Sequence, residues 1–136
     1  MHTGDIASLI PQRPPILMVD RFECVEADRC TTWLDIRDGN LFLHGGRLLA
    51  EGLIEHIAQT AAAYIGYRRR EAGDEVNLGF IGDIKKCTIA DSLPGVGETV
   101  ETQMRVVSQV GPITMIAAES RVNDVTVVAC RMKLAN

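Results

Sequence analysis

The sequence has few cysteines, and no pattern organises them. Cys24, Cys30, Cys87 and Cys130 are the four in 136 residues, and no two of them form a Cys-x-x-Cys pair. A structural zinc site or a secreted disulfide framework is therefore not expected. Most of the four fall in apolar, strand-like stretches, so we expect reduced thiols in the core of a cytoplasmic protein.

An excess of positive charge is also missing. Lysine and arginine number 14 against 18 aspartates and glutamates, which gives a net charge of -4. Such a chain has no general attraction for nucleic acid, so nucleic-acid binding is not expected, although a local basic patch can still meet an acidic partner.

Long apolar runs are absent as well. The longest stay well short of the ~20 residues that a membrane-spanning helix needs. Residues 1–15 lack the basic region and apolar run of a signal peptide. We therefore expect an intracellular protein without membrane insertion, and the length suits a single domain over residues 1–136.

Alternation of apolar and polar residues predicts about six strands. A short helix over 4–10 precedes them, and one long helix is predicted from Arg47 to Arg70. The predicted strands cover residues 16–25, 29–37, 75–89, 98–110, 113–123 and 124–135. The strands follow one another too closely for helical crossovers, so the pattern predicts an α+β fold with an antiparallel sheet curled around the long helix.

The long helix carries a polar stripe within an apolar sequence. Glu51, Glu55 and Gln59 are four residues apart and share one side of the helix. The stripe can be the wet edge of an amphipathic helix. Its neighbours leave little room for a solvated face, however, and an acid partly shielded from water suits proton transfer near neutral pH. Both interpretations stay open on periodicity alone.

Two histidines lie near this stripe. His44 is in a glycine-rich turn just before the helix, where its ring could reach the first helical turns, but it can equally be an exposed loop residue. The backbone amides near Leu49 and Ala50 could stabilise a developing oxyanion there. His56 fits a hydrogen-bonded core or interface histidine better than a catalyst.

Three segments, in order, resemble the hotdog-fold 3-hydroxyacyl-acyl-carrier-protein dehydratases of bacterial fatty acid synthesis. Residues 9–21, LIPQRPPILMVDR, are similar to the opening segment of that family. Residues 54–62, IEHIAQTAA, resemble its central-helix signature Glu-x-x-Ala-Gln, and residues 79–100 resemble the strand and turn that follow. The resemblance covers nearly the whole chain.

The resemblance implies a homodimer with active sites at the subunit interface, and a trimer of dimers stays open. In that family a loop histidine removes the α-proton of a (3R)-hydroxyacyl thioester, and a helix carboxylate of the partner subunit helps the 3-hydroxyl leave as water. By position the carboxylate is Glu55. Leu49, Ala50 and Gln59 become candidate substrate-binding residues. The implied partner is an acyl carrier protein or an acyl-CoA thioester, and no metal or organic cofactor is implied.

The catalytic histidine departs from the family pattern. Its usual position, fourteen residues before the helix carboxylate, holds Leu41, whereas His44 is eleven residues before Glu55. A loop shortened by three residues would let His44 serve as the base. Such a loop resembles the variant dehydratases of aryl-polyene pigment pathways.

Two other functions remain compatible with the sequence. A thioesterase of the same fold would use Glu55 to activate water or attack the carbonyl, and it could dispense with His44. A non-catalytic hotdog subunit would bind an acyl carrier or a partner dehydratase, and the altered loop is what favours it.

Overall fold

One long helix lies against a six-stranded antiparallel sheet in this computed structural model, which describes residues 6–73 and 80–135. The elements, in chain order, are α1 (Ile6–Leu9), β1 (Arg21–Glu26), β2 (Arg29–Asp35), β3 (Leu43–His44), β4 (Arg47–Leu48), α2 (Ala50–Glu71), β5 (Phe80–Ile89), β6 (Thr99–Val110), β7 (Ile113–Val122) and β8 (Val125–Ala135). The strand order in the sheet is β1-β2-β6-β7-β8-β5, and β3 and β4 form a separate hairpin. The predicted α+β fold, a sheet around one long helix, is confirmed.

Alternating residues separate the two faces of the sheet. In β7, Ile116, Ala118 and Ser120 are buried while the residues between them are only half-buried. The same period holds in β2, β6 and β8. Burying the apolar half of each strand against α2 is the main stabilising contribution of the sheet.

The helix α2 supplies the other half of the core. Leu53 and Ile57 are completely buried, and the helix contacts β1, β2, β6 and β7. Gly66 lets α1 approach closely, since a Cβ there would collide with the Leu9 carbonyl oxygen. Within the described residues, neither helix is long and apolar enough to cross a membrane.

Two predicted starts differ from the structure by three residues or more. The long helix begins at Ala50 rather than Arg47, because Arg47 and Leu48 pair with β3. β1 begins at Arg21 rather than Ile16, because backbone groups of the preceding segment form hydrogen bonds with the side chain of Gln59 in α2. The predicted starts of the first helix at residue 4 and of the third strand at residue 75 lie outside the described residues.

The expectation of core thiols holds for three cysteines and is wrong for Cys87. Cys24, Cys30 and Cys130 are buried, whereas Cys87 is exposed. Cys87 lies on β5, at one end of the sheet, where the register with β8 shifts between Lys85 and Thr88. Burial raises the pKa of the Cys30 thiol well above its ordinary value, so that thiol stays protonated.

Candidate active site

A tight hairpin carrying His44 precedes the helix. β3 and β4 pair across Gly45 and Gly46, whose φ angles are +60° and +78°. Two successive positive φ values define a two-residue hairpin turn that glycine adopts without strain. The side chain of His44 is exposed on this hairpin.

The hairpin is fixed to the loop before β6. The Leu48 N–H donates to the Pro94 carbonyl oxygen at 2.8 Å, and the Val96 N–H donates to the Gly46 carbonyl oxygen at 3.0 Å. These two bonds bracket the glycine turn. They limit the directions in which His44 can point.

The amides at the start of α2 are not equivalent. The Leu49 N–H donates to the Phe42 carbonyl oxygen at 2.9 Å, so it is already engaged within the chain. Ala50 occupies the first helical position, where an N–H has no intrahelical acceptor, and no side chain caps this end of the helix. Of the two candidates, Ala50 therefore presents the amide that can reach a ligand.

Glu55 lies one turn further along α2 and is half-buried. Its Oε2 accepts a hydrogen bond from Gln59 Nε2 at 2.8 Å. Because the two residues are four apart on one helix, this bond fixes the carboxylate relative to the helix axis. The second carboxylate oxygen remains for other partners.

Gln59 is completely buried, and its amide is held from two sides. The Met18 N–H donates to Gln59 Oε1 at 2.7 Å, and Gln59 Nε2 also donates to the Ile16 carbonyl oxygen at 2.8 Å. The segment before β1 thus locks the amide that orients Glu55. Gln59 shares the stripe of Glu51 and Glu55, but its polar atoms are engaged by the protein.

An open groove of about 540 Å³ runs along this side of the helix. Its lining consists of Ala50, Glu51, Ile54, Glu55, Ala58, Ile84 and Ile89. The surface is largely apolar, and Glu51 and Glu55 are the acidic residues in it. A volume of this order is within the range of small-molecule sites.

His44 and Glu55 do not meet in this groove within one chain. His44 is exposed and is not among the residues that line the groove, whereas Glu55 and Ala50 are. Glu51 also lines the groove but is exposed to solvent. One chain alone therefore combines an oriented acid, a free helix amide and an apolar wall.

His56 belongs to the core, as expected. It is completely buried, its Nδ1 donates to the Met18 carbonyl oxygen at 2.7 Å, and its Nε2 is 3.2 Å from Thr32 Oγ1. Burial lowers the pKa of His56 from 6.5 to about 4, outweighing the opposing hydrogen bond to Met18. The imidazole is neutral at pH 7, so Nε2 accepts from the Thr32 hydroxyl.

Some residues around the site could not be identified from the motif. The hydroxyl oxygens of Thr60 and Thr32 are 2.7 Å apart and share a hydrogen bond. Thr60 therefore extends the chain of hydrogen bonds that joins His56 to Thr32. Ile84 and Ile89 of β5 form the wall of the groove opposite the helix. The alternation Asp83–Ile84–Lys85 indicates that Ile84 points to the opposite face of the strand from its two charged neighbours. Nothing in the sequence indicates which part of the helix Ile84 would face.

The Glu55 carboxyl group and the N-terminus of α2 can each act on a molecule bound in the groove. A carboxyl group fixed by Gln59 at an apolar surface can deliver a proton to a bound hydroxyl group or hold a water molecule. The nearby helix N-terminus favours negative charge on a ligand oxygen.

Solved structures share this fold. The dehydratase heterocomplex ApeI:P from Xenorhabdus doucetiae contains a chain that is 20% identical, with a TM-score of 0.85 over 96% of this chain and 90% of that one. The PaaI protein of the phenylacetic acid degradation operon of E. coli is 11% identical, with a TM-score of 0.66 over 85% and 82%. A hypothetical thioesterase with coenzyme A from Streptococcus pneumoniae is 7% identical, with a TM-score of 0.67 over 87% of both chains. These identities establish the fold alone.

Sequence comparison adds the family. No curated protein matches the chain significantly. The model of the ApeP-like family, described as ApeP dehydratase, matches residues 4–136. The chain therefore belongs to the ApeP-like dehydratases, a family with the hotdog fold.

Proposed function

We propose that the protein takes part in the dehydration of (3R)-hydroxyacyl thioesters, linked to an acyl carrier protein, to trans-2-enoyl thioesters in fatty acid or polyene biosynthesis. The observation that carries this proposal is the carboxylate of Glu55, held by the buried Gln59 on an apolar groove. Membership of a dehydratase family supports the reaction class.

Each group has a role in this elimination. His44 takes the α-proton, and the electron pair of that C–H bond forms the new double bond. The C3–oxygen bond breaks as Glu55 gives its proton to the hydroxyl, which leaves as water. The Ala50 N–H stabilises negative charge on the thioester oxygen. The elimination is redox neutral, and the site resets when a proton passes from His44 back to Glu55.

The histidine at each site comes from a second subunit. His44 lies outside the groove of its own chain, so the groove needs a base from elsewhere. Ile84 and Ile89 form a wall of the groove and are 40% and 42% exposed. They lie on β5, which is an edge strand of the sheet. Exposed apolar residues on an edge strand are typical of a surface that another subunit covers. That subunit is a second copy or a partner dehydratase, and association with a different dehydratase is what ApeI:P shows for its own chains.

The acyl group is carried by an acidic protein or by coenzyme A. Arg68, Arg69 and Arg70 lie in the last turn of α2 and supply positive charge for an acidic carrier. Comparing carrier-linked and coenzyme A-linked substrates at two salt concentrations tests this assignment. A carrier preference that salt removes supports electrostatic recognition.

The function is tested with a 3-hydroxyacyl thioester, following absorbance of the enoyl product. His44→Ala and Glu55→Gln are each expected to lower kcat at least a hundredfold, the usual contribution of a general acid or base. Glu51→Gln is the matched control, since Glu51 lies on the same groove four residues earlier. Wild-type turnover that survives in both His44→Ala and Glu55→Gln would refute the proposed roles.

A thioesterase is the second candidate, because an oriented carboxylate on an apolar groove also suits activation of water. Release of free thiol in place of enoyl product, abolished by Glu55→Gln but not by His44→Ala, would establish it. A non-catalytic subunit is the third, favoured by the exposure of His44. Inertness of the protein alone, with turnover only beside a partner dehydratase and no effect of Glu55→Gln on that turnover, would establish this third function.

A further inference from the structure

Positive side chains form a row across the outer face of the sheet, the face opposite α2. Arg29 is directly opposite Arg105 in the register of β2 and β6. Arg105 is opposite Ala117, and Ala117 is opposite Arg131 on β8. Lys86 of β5 joins them in lining one groove. We call Arg29, Arg105, Arg131 and Lys86 the cationic row.

The members of the cationic row differ in their ion pairs. Arg29 has Glu26 and Asp28 at 3.4 Å and 3.3 Å. Among the residues that the structure describes, no carboxylate lies within ion-pairing distance of Arg105, Arg131 or Lys86. Like charges directly opposite each other destabilise a sheet. Arg29 and Arg105 therefore repel each other, and the unpaired charges of Arg105, Arg131 and Lys86 are available to an acidic partner.

The groove beneath the row has room for a partner. Its volume is about 500 Å³, and the small side chains of Ala117 and Ala129 contribute to its lining. Glu119 also lines it, but the Glu119 carboxylate accepts bonds from Arg121 at 2.7 Å and Thr126 at 2.9 Å. The Arg121 bond lowers the pKa of Glu119, so this acid stays ionised and engaged with Arg121. It therefore does not neutralise the row.

The spacing of the row favours an acidic helix as the occupant. Arg105 and Arg131 are on strands two positions apart, which separates them by roughly 10 Å. Carboxylates at positions i and i+7 of an α-helix are separated by about 10.5 Å, with a third between them at i+3 or i+4. The arginine fork binds carboxylates in a bidentate manner.

Two other occupants fit less well. A second copy of the chain, docked by the same face, would bring the cationic rows together. Single-stranded nucleic acid binds where aromatic side chains stack on bases, and among the described residues no aromatic side chain lines this groove.

We propose that the cationic row is a docking surface for an acidic helix of another protein, separate from the groove that holds Glu55. The surface lies on the far side of the sheet from α2. None of the residues of the cationic row lines the groove that holds Glu55.

The test measures binding of a labelled alanine-based helical peptide with glutamates at positions i, i+4 and i+7, by fluorescence polarisation at low and physiological salt. Arg105→Gln and Arg131→Gln are each expected to weaken binding about fivefold, and more salt is expected to weaken it further. Arg37→Gln is the matched control, since Arg37 is exposed and pairs with Asp20 away from the groove. A peptide with glutamine in place of glutamate should not bind.

Thermal unfolding provides an independent measurement. Relief of repulsion predicts that Arg105→Gln and Arg131→Gln raise Tm or leave it unchanged at low salt, and that any gain shrinks as salt is added. A lower Tm in both variants at every salt concentration would show that these arginines hold the sheet together, and would overturn the proposal. Equal binding by wild type and both variants, or tighter binding of oligothymidylate or inorganic phosphate than of the acidic peptide, would also overturn it.

Discussion

Gln59 Nε2 donates to Glu55 Oε2 at 2.8 Å and, with the same nitrogen, to the Ile16 carbonyl oxygen at 2.8 Å. A carboxylate on the groove is thereby coupled to the segment before β1 through one buried amide. Met18 completes the arrangement, since its N–H donates to Gln59 Oε1. The fold and the candidate site share this side chain, so changing it should affect both.

Replacing Gln59 tests this coupling. Gln59→Met keeps the length of the side chain but leaves the Met18 N–H and the Ile16 carbonyl without their partner. We expect a loss of about 2–4 kcal/mol in the free energy of unfolding. Since Glu55 also loses its donor, kcat should fall about tenfold with a smaller change in KM. Urea denaturation followed through the single tryptophan, Trp33, gives the first quantity.

Gln109→Met serves as the control for this experiment, because Gln109 is exposed on β6. Its effect on unfolding should stay within about 0.5 kcal/mol. An equally small effect of Gln59→Met would mean that the buried amide stabilises neither the fold nor the carboxylate.

Mixing two inactive variants tests whether the base and the acid come from different subunits. In a random mixture of His44→Ala and Glu55→Gln chains, half of the dimers are mixed, and one of the two sites in each has both groups intact. Exchange of subunits should therefore restore about a quarter of the wild-type turnover. Absence of restoration, with exchange verified by mass spectrometry, would show that each site takes both groups from one chain or that a different protein provides one of them.

The strands could be predicted because their signal is local. In β6, Val100, Thr102 and Met104 alternate with polar residues, and the structure buries that half of the strand. The start of the helix could not be placed as well. Leu48 suits either a helix or a strand, and its pairing with Leu43 depends on the glycine turn between them.

The candidate site was predictable only in part for the same reason. The position of Glu55 on the polar stripe follows from helical spacing. The burial of Gln59 depends on Ile16 and Met18, about forty residues earlier in the chain. No periodicity within the helix reports a contact of that sequence separation. The placement of His44 similarly depends on how the hairpin packs against the loop near Pro94.

The contact between hairpin and helix can be tested at Gly52. A Cβ at this position would lie 2.6 Å from Phe42 Cβ and 2.8 Å from Leu48 Cδ1. Alanine favours a helix by about 1 kcal/mol over glycine, but Phe42 Cβ is fixed to its backbone and cannot move aside cheaply. We expect Gly52→Ala to lower the free energy of unfolding by about 1–2 kcal/mol net, and to lower turnover by displacing His44. A higher Tm with unchanged turnover would show that the hairpin adapts at little cost.

The buried imidazole of His56 should make stability depend on pH. Its pKa is about 4 in the folded protein and 6.5 ordinarily, so between these values the unfolded chain binds a proton that the folded protein does not. Stability should therefore fall as pH drops from 6.5 towards 4, by at most about 1.4 kcal/mol per pH unit, and this contribution should level off below pH 4. Urea denaturation at several pH values measures the slope.

Variants isolate this contribution from that of the carboxylates. His56→Asn should flatten the slope in this range while lowering stability at neutral pH, because Asn fills less of the cavity and reaches fewer of the partners Met18 and Thr32. His44→Ala removes an imidazole from an exposed position and serves as the control variant. If His56→Asn does not fold, proton NMR of the wild type decides the question, because the His56 ring resonances should not titrate down to pH 5. Titration of that ring near pH 6.5 would contradict the buried, neutral imidazole, since a ring shielded from water and bonded at both nitrogens cannot take up a proton without losing the Thr32 hydroxyl as a donor.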